Sequence, residues 1–212
     1  MILARFIAWG FVLVGLLIVG YNGYKWWGEI NIVVQDPQLA MSIAEDWNDT
    51  TTQKALTKVE TEPNAKPTKL ETGEKIGELI IPRIGGILPI VEGTDPNSLE
   101  KGVGKYKGYG TVAPDQTGHV VLSGHRDTVF RKIGKLQDGD RLYIRFKGKI
   151  YTYQIRKRWV THADDRTVIV PINRPVLTLT TCYPFDYIGD APDRYIIRAD
   201  LIEVKDDQTQ SI

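Results

Sequence analysis

The chain begins with one long apolar run and continues, after a polar stretch, as a series of short apolar runs. The long run extends without a charge from Phe6 to about Tyr24, which at helical rise is long enough to cross most of a hydrocarbon core. Trp26 and Trp27 follow with Lys25, where an aromatic belt would lie at a membrane interface. The pattern therefore predicts an N-terminal transmembrane helix.

A cleaved signal peptide is the alternative for this segment. Such a peptide needs small residues on both sides of one position before its cleavage site. The two candidates, Ile18-Val19-Gly20 and Tyr21-Asn22-Gly23, each place a bulky residue at the outer position, so an uncleaved anchor is favoured. Arg5 precedes the run and Lys25 follows it. We expect a cytoplasmic N-terminus with the remainder of the chain outside, although the basic residues set this orientation only weakly.

The segment after the anchor divides into a short helix and a polar linker. Asp36 and Pro37 suit the N-cap and the first position of a helix. Large apolar residues then recur at four-residue steps: Leu39, Ile43 and Trp47. This predicts an amphipathic helix, either a lid or a packing element on the following domain, or part of a stalk. From Asn48 to Gly73 few large apolar residues occur, and such a stretch buries too little surface to order itself, so we expect a tether.

The short apolar runs from about Ile76 onward are typical of β-strands separated by turns. The runs "RLYIRF" and "KIYTYQIRKRWV" flank Lys147-Gly148, which predicts a hairpin with a two-residue turn. The runs "PVLTLTTC" and "RYIIRADLIEV" follow as two more strands, with little helical periodicity between them. Several short strands at this spacing predict an all-β fold, a closed or nearly closed barrel.

Length and composition limit this architecture to one domain with an appendage. A chain of 212 residues, 42% of them hydrophobic and 25% charged, can bury one core but hardly two. We expect residues 1–27 to form the anchor and its interface, 28–74 the short helix and polar linker, 75–205 the barrel, and 206–212 a C-terminal tail. The 27 basic and 26 acidic residues nearly balance, which gives no general attraction to nucleic acid.

Three residues at the ends of predicted strands could carry chemistry. Cys182 is the only cysteine, so it cannot form an intramolecular disulfide, and it ends a threonine-rich run. His125 lies in "LSGHRDT", just beyond another predicted strand. Arg194 opens the last one. If the strands that end at Cys182 and begin at Arg194 are antiparallel neighbours, the thiol and the guanidinium lie side by side at the barrel rim.

These side chains suit acyl transfer through a thioester. An ordinary thiol is mostly protonated at neutral pH, so a histidine and a fixed positive charge make it a usable nucleophile. Arg194 offers several donors in a plane to the oxyanion that forms when a thiolate attacks a carbonyl, and His125 would protonate the leaving amine. The structural alternatives are a buried packing cysteine, a solvated histidine and a rim arginine. A metal site is disfavoured, because one thiol and three histidines lack the short spacing of metal ligands.

The motifs resemble a known family. "LSGHR", "TLTTC" and the arginine that opens the last strand are similar to the active-site signature of the sortases, the cysteine transpeptidases of Gram-positive cell surfaces. "IGELIIPRIGGILPIVEGT" resembles the family's opening strands, and "LEKGVGKY" resembles its short helix and turn. The anchor and "TTCYPFDYIGDAPDRYIIRADL" look most like class D. The resemblance implies an eight-stranded sortase-type β-barrel with short helices.

The resemblance also implies a reaction and its partners. Cys182 would attack the Thr-Gly or Thr-Ala bond of an LPxTG- or LPxTA-like sorting signal and hold the surface protein as a thioester. An amine of a peptidoglycan precursor or a cell-wall cross-bridge would resolve it, with His125 as acid and base and Arg194 as oxyanion and substrate clamp. Residues expected to seat the signal are Thr181, Ile169, Val170 and Ile172. No cofactor, metal or nucleic acid is implied, and the enzyme would act outside the cell from its membrane anchor.

Two residues depart from the family pattern, and two other functions stay open. Many members have histidine where this chain has Lys105, after "GVG", and asparagine where it has His119. These departures put in doubt only local structure and acceptor contacts. A cysteine hydrolase would pass the same thioester to water. An anchored β-domain that binds a surface partner would use Cys182 only for packing, and its loss would then lower stability rather than turnover.

Overall fold

The computed structural model describes residues 2–30, 33–51, 53–57, 70–186, 189 and 191–207. Much of the predicted linker, 58–69, and the end of the predicted tail, 208–212, lie outside the described residues. The helices are α1 Ile2–Ile30, α2 Pro37–Met41 and α3 Pro96–Leu99, with short 3₁₀ turns at Pro82–Ile84 and Ile133–Lys135. The strands are β1 Val34–Gln35, β2 Lys75–Ile81, β3 Gly86–Glu92, β4 Val103–Lys105, β5 His119–Ser123, β6 Arg141–Phe146, β7 Lys149–His162, β8 Val176–Tyr183 and β9 Asp193–Asp206.

Strands β2 to β9 form a closed eight-stranded barrel. Around it they follow the order β3-β2-β6-β7-β9-β8-β5-β4, and the ring closes where β4 pairs with β3. The pairs β3–β4 and β5–β8 are parallel and the other pairs are antiparallel. The two-residue β1 adds to β3. The prediction of an all-β barrel with short helices is confirmed.

The predicted hairpin joins β6 to β7. Phe146 pairs with Lys149, so the turn consists of two residues. Lys147 and Gly148 both have positive φ, 49° and 70°, the backbone conformation of a type I′ turn, whose twist matches that of the flanking strands. Glycine accepts this conformation without steric cost, which is why the sequence signal was reliable here.

The hydrophobic core fills the barrel. It combines inward-facing residues of the strands, such as Leu79, Leu142 and Tyr153, with Phe130 and Ile133 from the connection between β5 and β6. All five side chains are buried. Each fully buried large apolar side chain contributes about 1.5–3 kcal/mol relative to exposure, so this cluster stabilises the sheet on which the site described below lies.

Helix α2 begins as predicted but is shorter than its sequence pattern suggested. Asp36 is the N-cap, with its Oδ1 accepting from the Leu39 backbone N–H at 2.9 Å, and Pro37 opens the helix. The helix ends at Met41, and Leu39 is 53% exposed whereas Ala40 is fully buried. The predicted apolar face is therefore wrong at Leu39, because a helix of little more than one turn need not sustain a four-residue repeat.

Residues after α2 pack on the outside of the barrel. Ile43 and Trp47 contact a second cluster in which Ala40 meets the barrel residues Ile80, Ile87 and Tyr143. Among the described residues of the segment 33–57, none lines the cavity that contains Cys182. The structure thus places this segment as a packing element on the barrel. No described residue of the segment lines the cavity, so the alternative of a lid is not supported by any contact there.

The described start of the expected tether is also attached to the barrel. Thr57 donates its backbone N–H to Leu201 O at 2.9 Å and its hydroxyl to Ile202 O at 2.7 Å. Asp46 pairs with Arg141, whose side chain is only 1% exposed. The expectation of a free tether is wrong for residues 48–51 and 53–57, since hydrogen bonds and ion pairs hold a stretch that lacks apolar surface.

Helix α1 matches the predicted membrane segment. An 18-residue window within residues 5–28 has a mean hydropathy of 1.8, and the helix is, by length and composition, apolar enough and long enough to cross a membrane. Its large apolar side chains, including Phe11, Leu16 and Ile18, are exposed. An N-terminal membrane helix is the role that fits such a surface.

Candidate active site

Cys182 and Arg194 lie directly opposite each other on neighbouring antiparallel strands. Cys182 of β8 pairs with Arg194 of β9, and Arg194 in turn pairs with Thr161 of β7. Side chains of directly opposed residues project from the same face, with Cβ atoms about 4.5–5.5 Å apart. The predicted proximity of the thiol and the guanidinium is therefore found in the strand register.

The thiol faces away from the core. Along β8, Leu177 and Leu179 point into the core, and alternation places Thr178, Thr180 and Cys182 on the opposite face. Cys182 is a free, half-buried thiol. It is thus accessible to a ligand while its strand is fixed by pairing on both sides.

The cavity that contains Cys182 has a volume of about 360 Å³. Its floor includes Thr180, Cys182 and Ile196 from β8 and β9. One wall comes from the connection between β7 and β8, and the other from the region around α3 and β4. The further lining residues are Thr94, Leu99, Tyr106, Ser123, Gly124, His125, Thr161, His162, Ala163, Asp165, Val168, Ile169, Thr181 and Arg194. All three predicted catalytic residues therefore line one cavity.

His125 reaches this cavity from the strand beside β8. Strand β5 runs parallel to β8, with Ser123 opposite Thr180, so both strands deliver their C-terminal residues to the same end of the barrel. His125 is exposed. It follows Gly124, where a Cβ would lie 2.7 Å from side-chain atoms of both Val129 and Phe130. The absence of a side chain at Gly124 allows the chain to leave β5 close to the core.

Thr181 links the cysteine strand to the histidine loop. Its hydroxyl donates to Gly124 O at 2.7 Å, and the residue is only 3% exposed. Gly124 also donates its backbone N–H to Thr180 O at 3.2 Å. The residue before Cys182 is thus bonded to the residue before His125. Thr181 was predicted to seat the substrate, and in this structure its hydroxyl donates to the barrel residue Gly124.

The guanidinium of Arg194 is fixed by the loop that precedes it. Its Nη1 donates to Ala191 O at 3.1 Å and to Asp193 O at 2.9 Å. Ala191 lies in the connection between β8 and β9, and Asp193 is the first residue of β9, so the orientation of this guanidinium depends in part on the conformation of that connection.

The predicted apolar wall is only partly found. Ile169 lines the cavity, whereas Val170 and Ile172 do not. Val168, which the sequence reasoning missed, is buried and lines the cavity instead. Leu99 adds apolar surface from the opposite wall. Its segment, "LEKGVGKY", was recognised as a motif, but nothing in its local pattern pointed to a ligand contact.

Two polar side chains hold the connection that carries Val168 and Ile169. Arg198 Nη2 donates to Val168 O at 3.0 Å. His119 is fully buried, with Nδ1 2.8 Å from Val170 O and Nε2 2.7 Å from Thr178 Oγ1. A carbonyl only accepts, so Nδ1 carries the proton and Nε2 accepts from the threonine hydroxyl. Burial lowers the pKa of His119 below its ordinary 6.5, which keeps the ring neutral.

Asp165 places a negative charge in the lining. Its carboxylate accepts from the hydroxyls of Thr161 and Thr167, each at 2.6 Å. These hydrogen bonds, that of Thr161 first, lower the pKa of Asp165 to about 2. The carboxylate is therefore ionised throughout the neutral range.

The other family departure, Lys105, lies at the seam that closes the barrel. Its Nζ is 3.1 Å from Glu92 Oε2, and both side chains are buried. Glu92 and Lys105 are also register partners between β3 and β4. Lys105 and His119 thus both have structural partners, in line with the expectation that these departures concern local structure.

Comparison with known proteins identifies relatives of the chain. A family model described as the sortase domain matches residues 79–202. Sortase D of Bacillus subtilis is 42% identical over 188 residues, which cover 88% of this chain and 92% of the relative. The solved catalytic domain of SrtD from B. anthracis is 51% identical, with a TM-score of 0.58, and the match covers 67% of this chain and 97% of that domain. A sortase D5 transpeptidase from Clostridium perfringens is 31% identical, with a TM-score of 0.58, over 64% of this chain and 83% of that structure.

Proposed function

The chain belongs to the sortase family of cysteine transpeptidases, and from this premise we propose that it transfers surface proteins to a cell-wall amine. The substrate is a protein with an LPxTG- or LPxTA-like sorting signal. Cys182, His125 and Arg194 carry the reaction. The observation that supports this assignment most directly is the register of Cys182 with Arg194, with His125 delivered to the same cavity by the parallel strand β5.

In the first half of the reaction, the Cys182 thiolate attacks the carbonyl carbon of the signal's threonine. The Arg194 guanidinium donates to the oxyanion that forms there, where charge develops in the transition state. His125 gives a proton to the departing amine of the glycine or alanine. The C–N bond breaks, and the surface protein remains bound to Cys182 as a thioester.

In the second half, an amine of a peptidoglycan precursor or cross-bridge attacks the thioester. His125 accepts a proton from the attacking amine, the C–S bond breaks, and the thiolate is regenerated. Water would perform the same step in a hydrolase. Asp165 lines the cavity as a carboxylate, and a negative charge there raises the local concentration of an ammonium acceptor, which loses one proton to solvent before its neutral amine attacks.

The apolar part of the signal has a defined surface to bind. Val168, Ile169 and Leu99 line the cavity from its two walls, and they suit the leucine and proline of the signal. Of the residues assigned from the sequence, we retain Ile169 for direct contact. For Thr181 we propose a supporting role, because its hydroxyl donates to Gly124 O.

The proposed location follows from the N-terminal helix. Residues 5–28 anchor the enzyme in the cell membrane as a single span, with the N-terminus cytoplasmic and the barrel outside. The domain division carries over from the sequence analysis, with the anchor at 1–27, the connecting segment at 28–74 and the catalytic barrel at 75–205. The attachment of residues 48–51 and 53–57 to the barrel supports counting them with the folded unit.

Mass spectrometry of the full chain in detergent micelles tests the function. The chain is mixed with LPxTG- and LPxTA-type peptides, with and without a small amine acceptor, alongside Cys182→Ala. The expected result is an acyl adduct on Cys182 that moves to the amine. An adduct released only to water would favour the hydrolase, and no adduct from the folded chain with either peptide would favour the binding module.

A further inference from the structure

We propose that Arg126 is a positioning residue that sets Arg194 for catalysis by holding the connection between β8 and β9. The proposal rests on the proposed function and deepens it, since it adds a fourth residue to the machinery. Arg126 follows His125 directly, yet its side chain turns away from solvent and is buried, with the residue 7% exposed. Arg126 is not proposed to contact the substrate.

The contacts of Arg126 reach the beginning and the middle of that connection. Its Nη1 donates to Pro184 O at 3.1 Å, and its Nη2 donates to Gly189 O at 2.8 Å. Pro184 is two residues beyond Cys182, and Gly189 lies five residues before Arg194. One guanidinium therefore joins the histidine loop to two points of the connection that leads from the thiol to the arginine.

The same connection also holds Arg194. The carbonyl of Ala191, in this connection, accepts from Arg194 Nη1, as does that of Asp193 at the start of β9, so a shift of the connection would move the Ala191 acceptor that helps to orient the proposed oxyanion donor. Preorganised donors stabilise an oxyanion only when they already point to where the charge develops. Arg126 acts on Arg194 through this loop rather than by contact.

Arginine is the side chain suited to this role. Its planar guanidinium carries separate NH₂ groups that can bind two carbonyls at once, whereas a lysine ammonium is a single point with rotatable donors. Burying a charge is costly unless its donors are satisfied. Only part of that cost is offset by the ion pair with Asp127, whose Oδ1 is 3.4 Å from Nε and whose side chain is 66% exposed. The two carbonyls thus account for the position of the buried guanidinium.

Thr181 supplies the complementary link on the other side of His125. Its bond to Gly124 O ties the strand before Cys182 to the residue before His125, whereas Arg126 ties the residue after His125 to the chain beyond Cys182. The Thr181 link fixes the strands relative to each other. Of these two links, only the Arg126 link reaches the connection between β8 and β9, which leads to Arg194.

A double-mutant cycle tests the proposal in the full chain in detergent. Arg126→Lys and Arg126→Met are measured alone and combined with Arg194→Gln, using the rate of acyl-adduct formation with the sorting-signal peptide to which wild type reacts. If Arg126 acts through Arg194, each Arg126 variant lowers this rate at least about tenfold in the wild-type background and less than about threefold when Arg194 is already replaced.

Two further measurements separate positioning from folding. Alkylation of Cys182 by iodoacetamide forms no oxyanion, so its rate should stay within about twofold of wild type in folded Arg126 variants. Arg145→Lys is the matched control, since Arg145 is fixed by Glu78 and Asp207 in the β6 region of the barrel, and its acylation rate should not change. Should Arg126→Met fail to fold, Arg126→Lys, which keeps the charge, decides the outcome.

Equal losses in both Arg194 backgrounds, or no loss in either, would overturn the positioning role. Parallel losses of acylation and alkylation would also overturn it, because they indicate general damage to the site. Failure of the proposed function can be distinguished from failure of the positioning role. In that case wild type itself would form no adduct with either peptide, while Cys182 would still react with iodoacetamide.

Discussion

Cys182 and Arg194 are direct register partners on antiparallel strands β8 and β9. Their relative position is therefore set by the backbone hydrogen bonds of this strand pair, whereas the guanidinium's orientation is set by the carbonyls of Ala191, in the preceding connection, and Asp193, at the start of β9. This division predicts different consequences for changes to the thiol, to the guanidinium and to the residues that support them.

Cys182→Ala should abolish acyl-adduct formation and turnover while leaving the fold nearly intact. Removal of a catalytic nucleophile typically costs at least about 10³-fold in rate. Cys182 is half-buried and faces the cavity rather than the core, so little packing is lost. Thermal denaturation followed by circular dichroism serves as the control. A large drop in the melting temperature with turnover retained would identify Cys182 as a packing residue.

Arg194→Lys should lower the acylation rate by about 10²–10³-fold despite keeping the positive charge. The lysine ammonium lacks the planar set of donors, so it cannot both bind the loop carbonyls and face the oxyanion as the guanidinium does. Single-turnover acylation measures the effect. Cys182 alkylation by iodoacetamide should be nearly unchanged, and a loss there of the same size as in acylation would argue against an oxyanion role.

The proximity of Cys182 and Arg194 could be predicted from the sequence because only one turn separates their strands. The proximity of His125 to Cys182 could not be predicted in this way. Its strand β5 lies beside β8 through a parallel pairing, with 56 residues between His125 and Cys182, and a parallel pair cannot be read from a local turn signal. His125 could be identified from its place at a strand end and from the family resemblance. That it lies in the same cavity as Cys182 could be seen only from the strand topology.

The wall residues were predicted less well, for a physical reason. Val168, Ile169 and Val170 are consecutive apolar residues in a connection without a regular period, so the sequence does not indicate which of them faces the cavity. The conformation is fixed by Arg198 on β9 and His119 on β5, which bind the carbonyls of Val168 and Val170. Such long-range hydrogen bonds leave no pattern in the connection itself.

Thr181→Val should lower both stability and acylation, whereas Thr181→Ser should preserve them. Valine has nearly the shape of threonine but cannot donate to Gly124 O, and an unpaired buried acceptor costs about 1–3 kcal/mol. Serine keeps the donor. Chemical denaturation and single-turnover acylation measure the two effects. If Thr181→Ser were as inactive as Thr181→Val, the threonine methyl rather than the hydrogen bond would be what the site needs.

Trp47→Ala should destabilise the barrel without reducing the activity of the molecules that remain folded. Trp47 packs on the cluster of Ala40, Ile80, Ile87 and Tyr143 outside the cavity, and truncation of a partly buried large side chain costs about 1–3 kcal/mol. Thermal unfolding and peptide turnover at a temperature well below the transition check this. A rise or fall in turnover at unchanged stability would instead revive the lid interpretation.

His119 predicts a pH dependence of stability in the acidic range. Burial, with the charge of Arg198 as a smaller cause, lowers the pKa of His119 in the folded state below 6.5. The unfolded chain therefore binds more protons at this residue, so the free energy of unfolding should fall as the pH drops below about 6.5 and level off once the pH passes the folded-state pKa. Each unit of pKa depression corresponds to about 1.4 kcal/mol.

His119→Gln isolates this contribution, because glutamine can still donate but does not titrate in this range. Urea denaturation measures the free energy of unfolding of both proteins at pH 7.5 and pH 5.5. Between these two values the free energy of unfolding should fall more in wild type than in His119→Gln. Protonation adds a proton at Nε2, where the ring now accepts from the Thr178 hydroxyl, and leaves the Nδ1–H donor to Val170 O in place, so the effect is expected in stability. A pH dependence that is identical in the two proteins would mean that the pKa of His119 does not differ between the folded and the unfolded chain.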